Sequence, residues 1–172
     1  MNFTIEEKYL QKFAANTVRE LRRGEKGSAK NLVNKLAKSI TRTKNCYREC
    51  TDFIHTSLRV PPEVEWLTDN FYLVERQGRE LCQSLLSIQR IPALEKSINR
   101  PYMFELANIL VQRTEGHITT KKIELYLDGI LEVSEFSEKE LYSFIPFLKC
   151  ALILFLSGAC DGISEILKGY RK

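Results

Sequence analysis

Apolar positions recur along most of the chain at helical rather than strand spacing. Ile5, Tyr9, Leu10, Phe13, Val18 and Leu21 define a first helix. Thr4 and Glu7 open it as a capping box, the hydroxyl on an early amide and the carboxylate reaching back. Gly24 reads as its stop, Gly24–Ser28 as a short polar turn and Ser28 as the next cap. Leu32, Leu36, Ile40, Tyr47, Cys50 and Ile54 stripe one face of a second helix over about 35 Å. Pro61 and Pro62 end that unit, since neither can continue a helix and each pushes its predecessor extended. In the third helix Val64, Leu67, Phe71, Val74, Gly78, Leu81 and Leu85 alternate steps of three and four. That pattern belongs to a helix packed lengthwise against others, with Gly78 permitting a close approach.

Ile91-Pro92 reads as a turn, and Pro101 fits the first position of a fourth helix running to about Arg113. Gly116 and Thr119-Thr120 separate it from a fifth, about Lys121 to Glu132. Ser137 and Glu140 form a second capping box that opens a long last helix. Pro146 lies too deep in that helix to be a starter and predicts a kink. No segment alternates with the period of a strand between hairpin turns. The expected fold class is therefore all-α, a bundle of about six helices with the last kinked near Pro146. It forms a single domain over residues 1–172, a basic helical pair (1–60) followed by a motif-bearing bundle (61–172).

Composition narrows this picture little. With 172 residues, 44% hydrophobic and 28% charged, the chain can bury one sizeable core, which excludes disordered and low-complexity classes. The net charge of +4 is uneven: residues 1–60 hold 13 Lys/Arg against 6 Asp/Glu, and residues 61–172 hold 13 against 16. Arg19, Arg22, Arg23, Lys26 and Lys30 are candidates for a basic surface that meets an anionic membrane, with a solvated helix face as the plainer reading. Acids are interspersed and no aromatics alternate with these charges, so nucleic acid is not an expected partner. Cys46, Cys50, Cys82, Cys150 and Cys160 form an odd set without CxxC spacing, and the first residues lack a signal pattern. Both point to a reducing, cytoplasmic setting. The apolar run Phe144–Cys160 carries Pro146 and Lys149 and reads as a buried helix rather than a membrane span.

Cys46, Cys50 and His55 suggest zinc, but a structural site wants four ligands and no second pair lies at a suitable spacing. No metal and no cofactor are expected. His55 and His117 stand in no nucleophile context, and neither a P-loop nor GxGxxG occurs. Glu65 and Asp69, four apart on one helix, read as an acidic face rather than the opposed carboxyl pair of a glycosidase. No catalytic residue is expected in the chain itself.

One segment says more. Trp66-Leu-Thr-Asp-Asn-Phe-Tyr-Leu-Val-Glu-Arg-Gln77 resembles the WLLDN(F/Y)-x-(I/L)-x-E-Q signature near the N-terminus of cyclic β-1,2-glucan synthases. The match falls on Trp66, Leu67, Asp69, Asn70, Phe71, Tyr72, Glu75 and Gln77, with Thr68 in place of a Leu. Ile91-Pro-Ala-Leu94 is similar to that family's LPxL element, and Arg100-Pro-Tyr-Met-Phe-Glu-Leu-Ala107 to its PRVYxLA helix start. Thr114-Glu-Gly-His117 is similar to its TDG turn, and Glu140-Leu-Tyr-Ser-Phe-Ile-Pro146 with the residues that follow to ELWAIPxxLRxALI. The series runs in order over about 61–156.

These synthases are large bacterial membrane proteins that join a glycosyltransferase region to a phosphorylase-like region. The resemblance implies a non-catalytic helical accessory region that positions or stabilises the catalytic parts on the cytoplasmic side of the inner membrane. Its implied partners are other domains of the same protein, a β-glucan and an anionic membrane surface. Trp66, Asp69, Asn70, Tyr72 and Glu75 are the candidate carbohydrate or interface residues. In a structural role Trp66, Leu67, Phe71 and Val74 enter the core while Asp69, Asn70 and Glu75 cap or cross-link helices. In a sugar-binding role Trp66 or Tyr72 stacks on a glucose face and Asp69 and Asn70 take hydroxyl protons. The first role predicts that Trp66→Ala costs about 3–5 kcal/mol.

Overall fold

The computed structural model describes residues 5–170, so the Thr4 end of the first capping box lies outside the described residues. These residues form six helices and one small sheet: α1 (Ile5–Glu20), β1 (Arg23–Ser28), α2 (Lys30–Thr56), α3 (Pro62–Ser87), β2 (Gln89–Leu94), β3 (Ser97–Pro101), α4 (Tyr102–Arg113), α5 (Thr120–Val133) and α6 (Glu138–Tyr170). The helical bundle is as the spacing predicts, and every helix lies within a few residues of its expected place. Pro62 stands in the first turn of α3 with Glu63 and Glu65 beside it, where a missing amide costs nothing and acids suit the helix dipole.

The three strands correct the sequence reading. Gly24–Ser28 and Ile91-Pro92 are not turns; they belong to an antiparallel sheet of order β1-β2-β3. Ser28 is no helix cap either, since α2 begins after Ala29 without a side-chain cap. The glycines explain β1. A Cβ on Gly24 would stand 2.6 Å from Glu95 Cα, and one on Gly27 would overlap the Ile98 carbonyl. Gly24 lets β1 lie directly on the β2–β3 connection, and Gly27 lets it lie directly on β3. Pro92 sits in the middle strand, opposite Lys26, and the β1–β2 register shifts on either side of the Lys26–Gly27 step. Such irregularity lets a residue without an amide hydrogen stay in a ladder.

The helices α2, α3 and α4 all pack on α6, and α1 packs on α5. The main core gathers Leu36, Leu81, Leu85, Ile91, Met103, Leu106, Tyr126, Phe144 and Phe147. A smaller cluster at the other end joins Cys46, Cys50, Phe53, Val64, Leu67, Cys160, Ile163 and Leu167 across α2, α3 and α6. Gly78 lies on the seam as expected, for a Cβ there would meet Ile40 Cδ1 at 2.6 Å. The Ser137–Glu140 capping box forms: Ser137 N donates to Glu140 Oε2 at 2.9 Å and Glu140 N to Ser137 Oγ at 3.3 Å. α6 runs on through Pro146. By length and composition it could cross a membrane, and 50% of its most apolar stretch is buried inside this fold.

Candidate functional site

Part of the remaining apolar surface of α6 forms the floor of an open groove of about 620 Å³. Leu152, Phe155, Leu156 and Ala159 line it from α6, and Trp66, Leu73, Val74 and Gln77 wall it from α3. The turn Glu115–His117 closes the other side. Gly116 N donates to Val111 O at 2.9 Å, ending α4, with Glu115 and Gly116 at φ 50° and 76°. A Cβ on Gly116 would come within 3.2 Å of the Phe155 ring, so glycine here serves both the backbone and the wall. Lys149 Nζ donates to Gln77 Oε1 at 3.1 Å and ties the two helices at one end. The size lies within the roughly 300–1,000 Å³ of ligand sites, and the lining is chiefly aliphatic and aromatic.

The structure scatters the five motif residues singled out above. Only Trp66 lines the groove, and it is 51% exposed. It is not a core residue, because Val64, Leu67 and Phe71 fill the stripe roughly a third of a turn away. The expected cost of Trp66→Ala therefore falls to about half that of a core truncation, about 1.5–2.5 kcal/mol by urea unfolding. Tyr72, 71% exposed, points elsewhere under the Arg76 guanidinium, 5.7 Å from its ring centre. Asp69 is exposed, and Asn70 Nδ2 donates to Trp66 O at 2.8 Å within its own helix.

Glu75 cross-links the bundle, as the structural reading expected. Its carboxylate accepts from Lys44 of α2 at 3.1 Å and pairs with Arg79 at 2.8 Å. The Lys44 bond, with Arg79 behind it, holds this carboxyl below its usual range. A depressed carboxylate stabilises above its unfolded value of about 4.3 and loses that contribution as pH falls through the folded value. Wild type should therefore melt above Glu75→Gln at neutral pH, the two midpoints converging below about pH 4. A gap that persists in acid would contradict this.

The basic residues also divide. Arg22, Lys26 and Lys30 are exposed, and Arg19 is exposed with a bond to Asn16 Oδ1 at 2.9 Å. Arg23 is not a surface residue in the same sense. It turns inward over the Phe136 ring at 4.0 Å and pairs with Glu140 at 3.4 Å. Cys46 and Cys50 are buried with Cys160 of α6, whereas His55 is exposed. Burial pushes the Cys50 thiol up, and an apolar site raises Cys150 to about 12.

Sequence reading missed most of the groove wall. Trp66, Leu73 and Gln77 stand at i, i+7 and i+11, a second stripe offset from the core stripe, and that spacing was the available signal. No protein-family model, curated protein or solved structure matches this chain.

Proposed function

We propose that the chain is a non-catalytic accessory region of a cyclic β-1,2-glucan synthase-like glycosyltransferase, on the cytoplasmic side of the membrane. It positions or stabilises the catalytic parts, and the groove receives one of their apolar segments. The observation that supports this reading is the division of labour on α3. Leu67 and Phe71 of the WLTDNF segment hold the domain together, while Trp66 and Leu73 are left half covered on an apolar groove. A half-exposed Trp beside Leu and Phe is the composition of a buried interface anchor. Reading the coding region on both sides of this chain tests the proposal. A transferase-like segment in the same frame or next to it is the expected result, and its absence overturns the reading.

A second reading, direct binding of a β-glucan, draws on the exposed Trp66 face. Asp69 and Tyr72 lie off the groove, so the hydroxyl partners would be Gln77, Lys149 and His117. Trp66 is the only tryptophan, and its emission reports on the groove alone. Titration with β-1,2-linked oligosaccharides should give a saturable shift, weakened by Gln77→Ala, if sugar binds there. The accessory reading expects a flat titration.

A further inference from the structure

Between Lys26 and Arg48 the chain holds seven basic residues and no acidic one. Lys30, Asn31, Asn34, Lys35, Lys38, Thr41, Arg42, Asn45 and Arg48 are all exposed. They fall within about 140° of the α2 circumference, along about 27 Å of its axis. Arg42 and Lys44 are held by acids of neighbouring helices, Asp161 of α6 and Glu75 of α3. Lys26, Lys30, Lys35, Lys38 and Arg48 have no ion-pair partner among the described residues. Lys30 also shares a surface hollow with Arg90 of β2, which carries the positive surface onto the sheet. Glu20 and Glu25, the acids that dilute the basic set in the sequence, precede this stretch.

We propose that this stripe is a docking surface for an anionic lipid bilayer, on which α2 lies flat. Phosphate-bearing headgroups supply the complementary charge, and the interleaved Asn31, Asn34 and Asn45 side chains add hydrogen bonds to phosphate oxygens. The apolar side of α2 is spent on the core through Leu32, Leu36, Cys46, Cys50 and Phe53, so attachment is electrostatic rather than inserted. Two features favour a bilayer over nucleic acid. No large apolar or aromatic residue of the stripe is exposed to stack on bases. With α3 and α6 packed against it, α2 offers a broad face rather than a protruding helix that could enter a groove.

Sedimentation of the full chain with vesicles tests this, using phosphatidylcholine alone or mixed with phosphatidylserine. Binding to the mixed vesicles only is expected, and it should vanish between about 0.1 M and 1 M salt as the screening length shrinks. Each charge removed should weaken partition about five-fold, so Lys35→Gln with Lys38→Gln should lose about twenty-five-fold. Lys12→Gln with Lys121→Gln, the same change on α1 and α5, should bind as wild type does. Thermal melts confirm that both double variants are folded. Equal sedimentation with neutral vesicles, an unaltered Lys35/Lys38 variant, or displacement from vesicles by duplex DNA at equal phosphate would each overturn the proposal.

Discussion

Replacing Arg23 with alanine is expected to destabilise the fold by about 3 kcal/mol, the lower end of the range for breaking a buried ion pair. Glu140 is buried, and its Oε2 is used by the capping box. Among the described residues its Oε1 makes no hydrogen bond, and it pairs with the Arg23 guanidinium at 3.4 Å. Removing that cation strands a carboxylate at the start of the longest helix. The arginine also donates to Glu135 O at 2.9 Å and Ser134 Oγ at 3.2 Å, and stacks on Phe136. One side chain thus fastens β1 to the α5–α6 connection. Urea unfolding of Arg23→Ala measures the loss, and Glu140→Gln added to it should recover part by neutralising the stranded charge. A loss under about 1 kcal/mol would show that the pair behaves like a surface salt bridge.

The larger effect is expected at Phe147, where truncation to alanine should cost about 3–5 kcal/mol. Phe147 is fully buried and meets Phe104 of α4 edge to face, ring centres 6.0 Å apart. It lies one residue past Pro146, where α6 already lacks one backbone amide and side-chain packing carries more of the local stability. Neighbours on two helices cannot close the space without moving α4. Thermal melting should drop by roughly 6–20 °C for a chain of this size. A shift of only a few degrees would mean that the α4–α6 interface collapses readily.

The helices were legible because each buries a stripe, and a stripe leaves a period in the sequence. The alternating threes and fours from Val64 to Leu85 placed α3 within two residues of its start and end. The sheet left no such trace. β1 is Arg-Gly-Glu-Lys-Gly-Ser, with glycines where the chain must approach another backbone and no apolar alternation. β2 carries a proline, and β3 has only five residues. Such strands are set by what they touch across the fold rather than by their own pattern. The groove suffered similarly. The structural role puts Trp66 in the core because aromatics at helical spacing are commonly core, yet the neighbouring stripe of Val64, Leu67 and Phe71 fills that place. Leu152 and Leu156 of α6 looked like parts of an evenly apolar helix; which of its faces is left open depends on where α3 stops covering it.

The pairing of α1 with α5 sets an order of assembly. α2 and α3 are consecutive and can close as a hairpin as soon as both exist. α1, by contrast, meets its main partner only when Thr120–Val133 has been made, and β1 must wait for Gln89–Leu94. During synthesis α1 leaves the ribosome well before α5 and is therefore among the last of these elements to dock, with Leu10, Ala14 and Val18 unburied in the meantime. Among the described residues the contacts of α1 run chiefly to α5, so its release leaves the packing of α2, α3 and α4 on α6 in place. Backbone amides of α1 should accordingly exchange with solvent ahead of those in α6, through an opening that leaves the central helices in place.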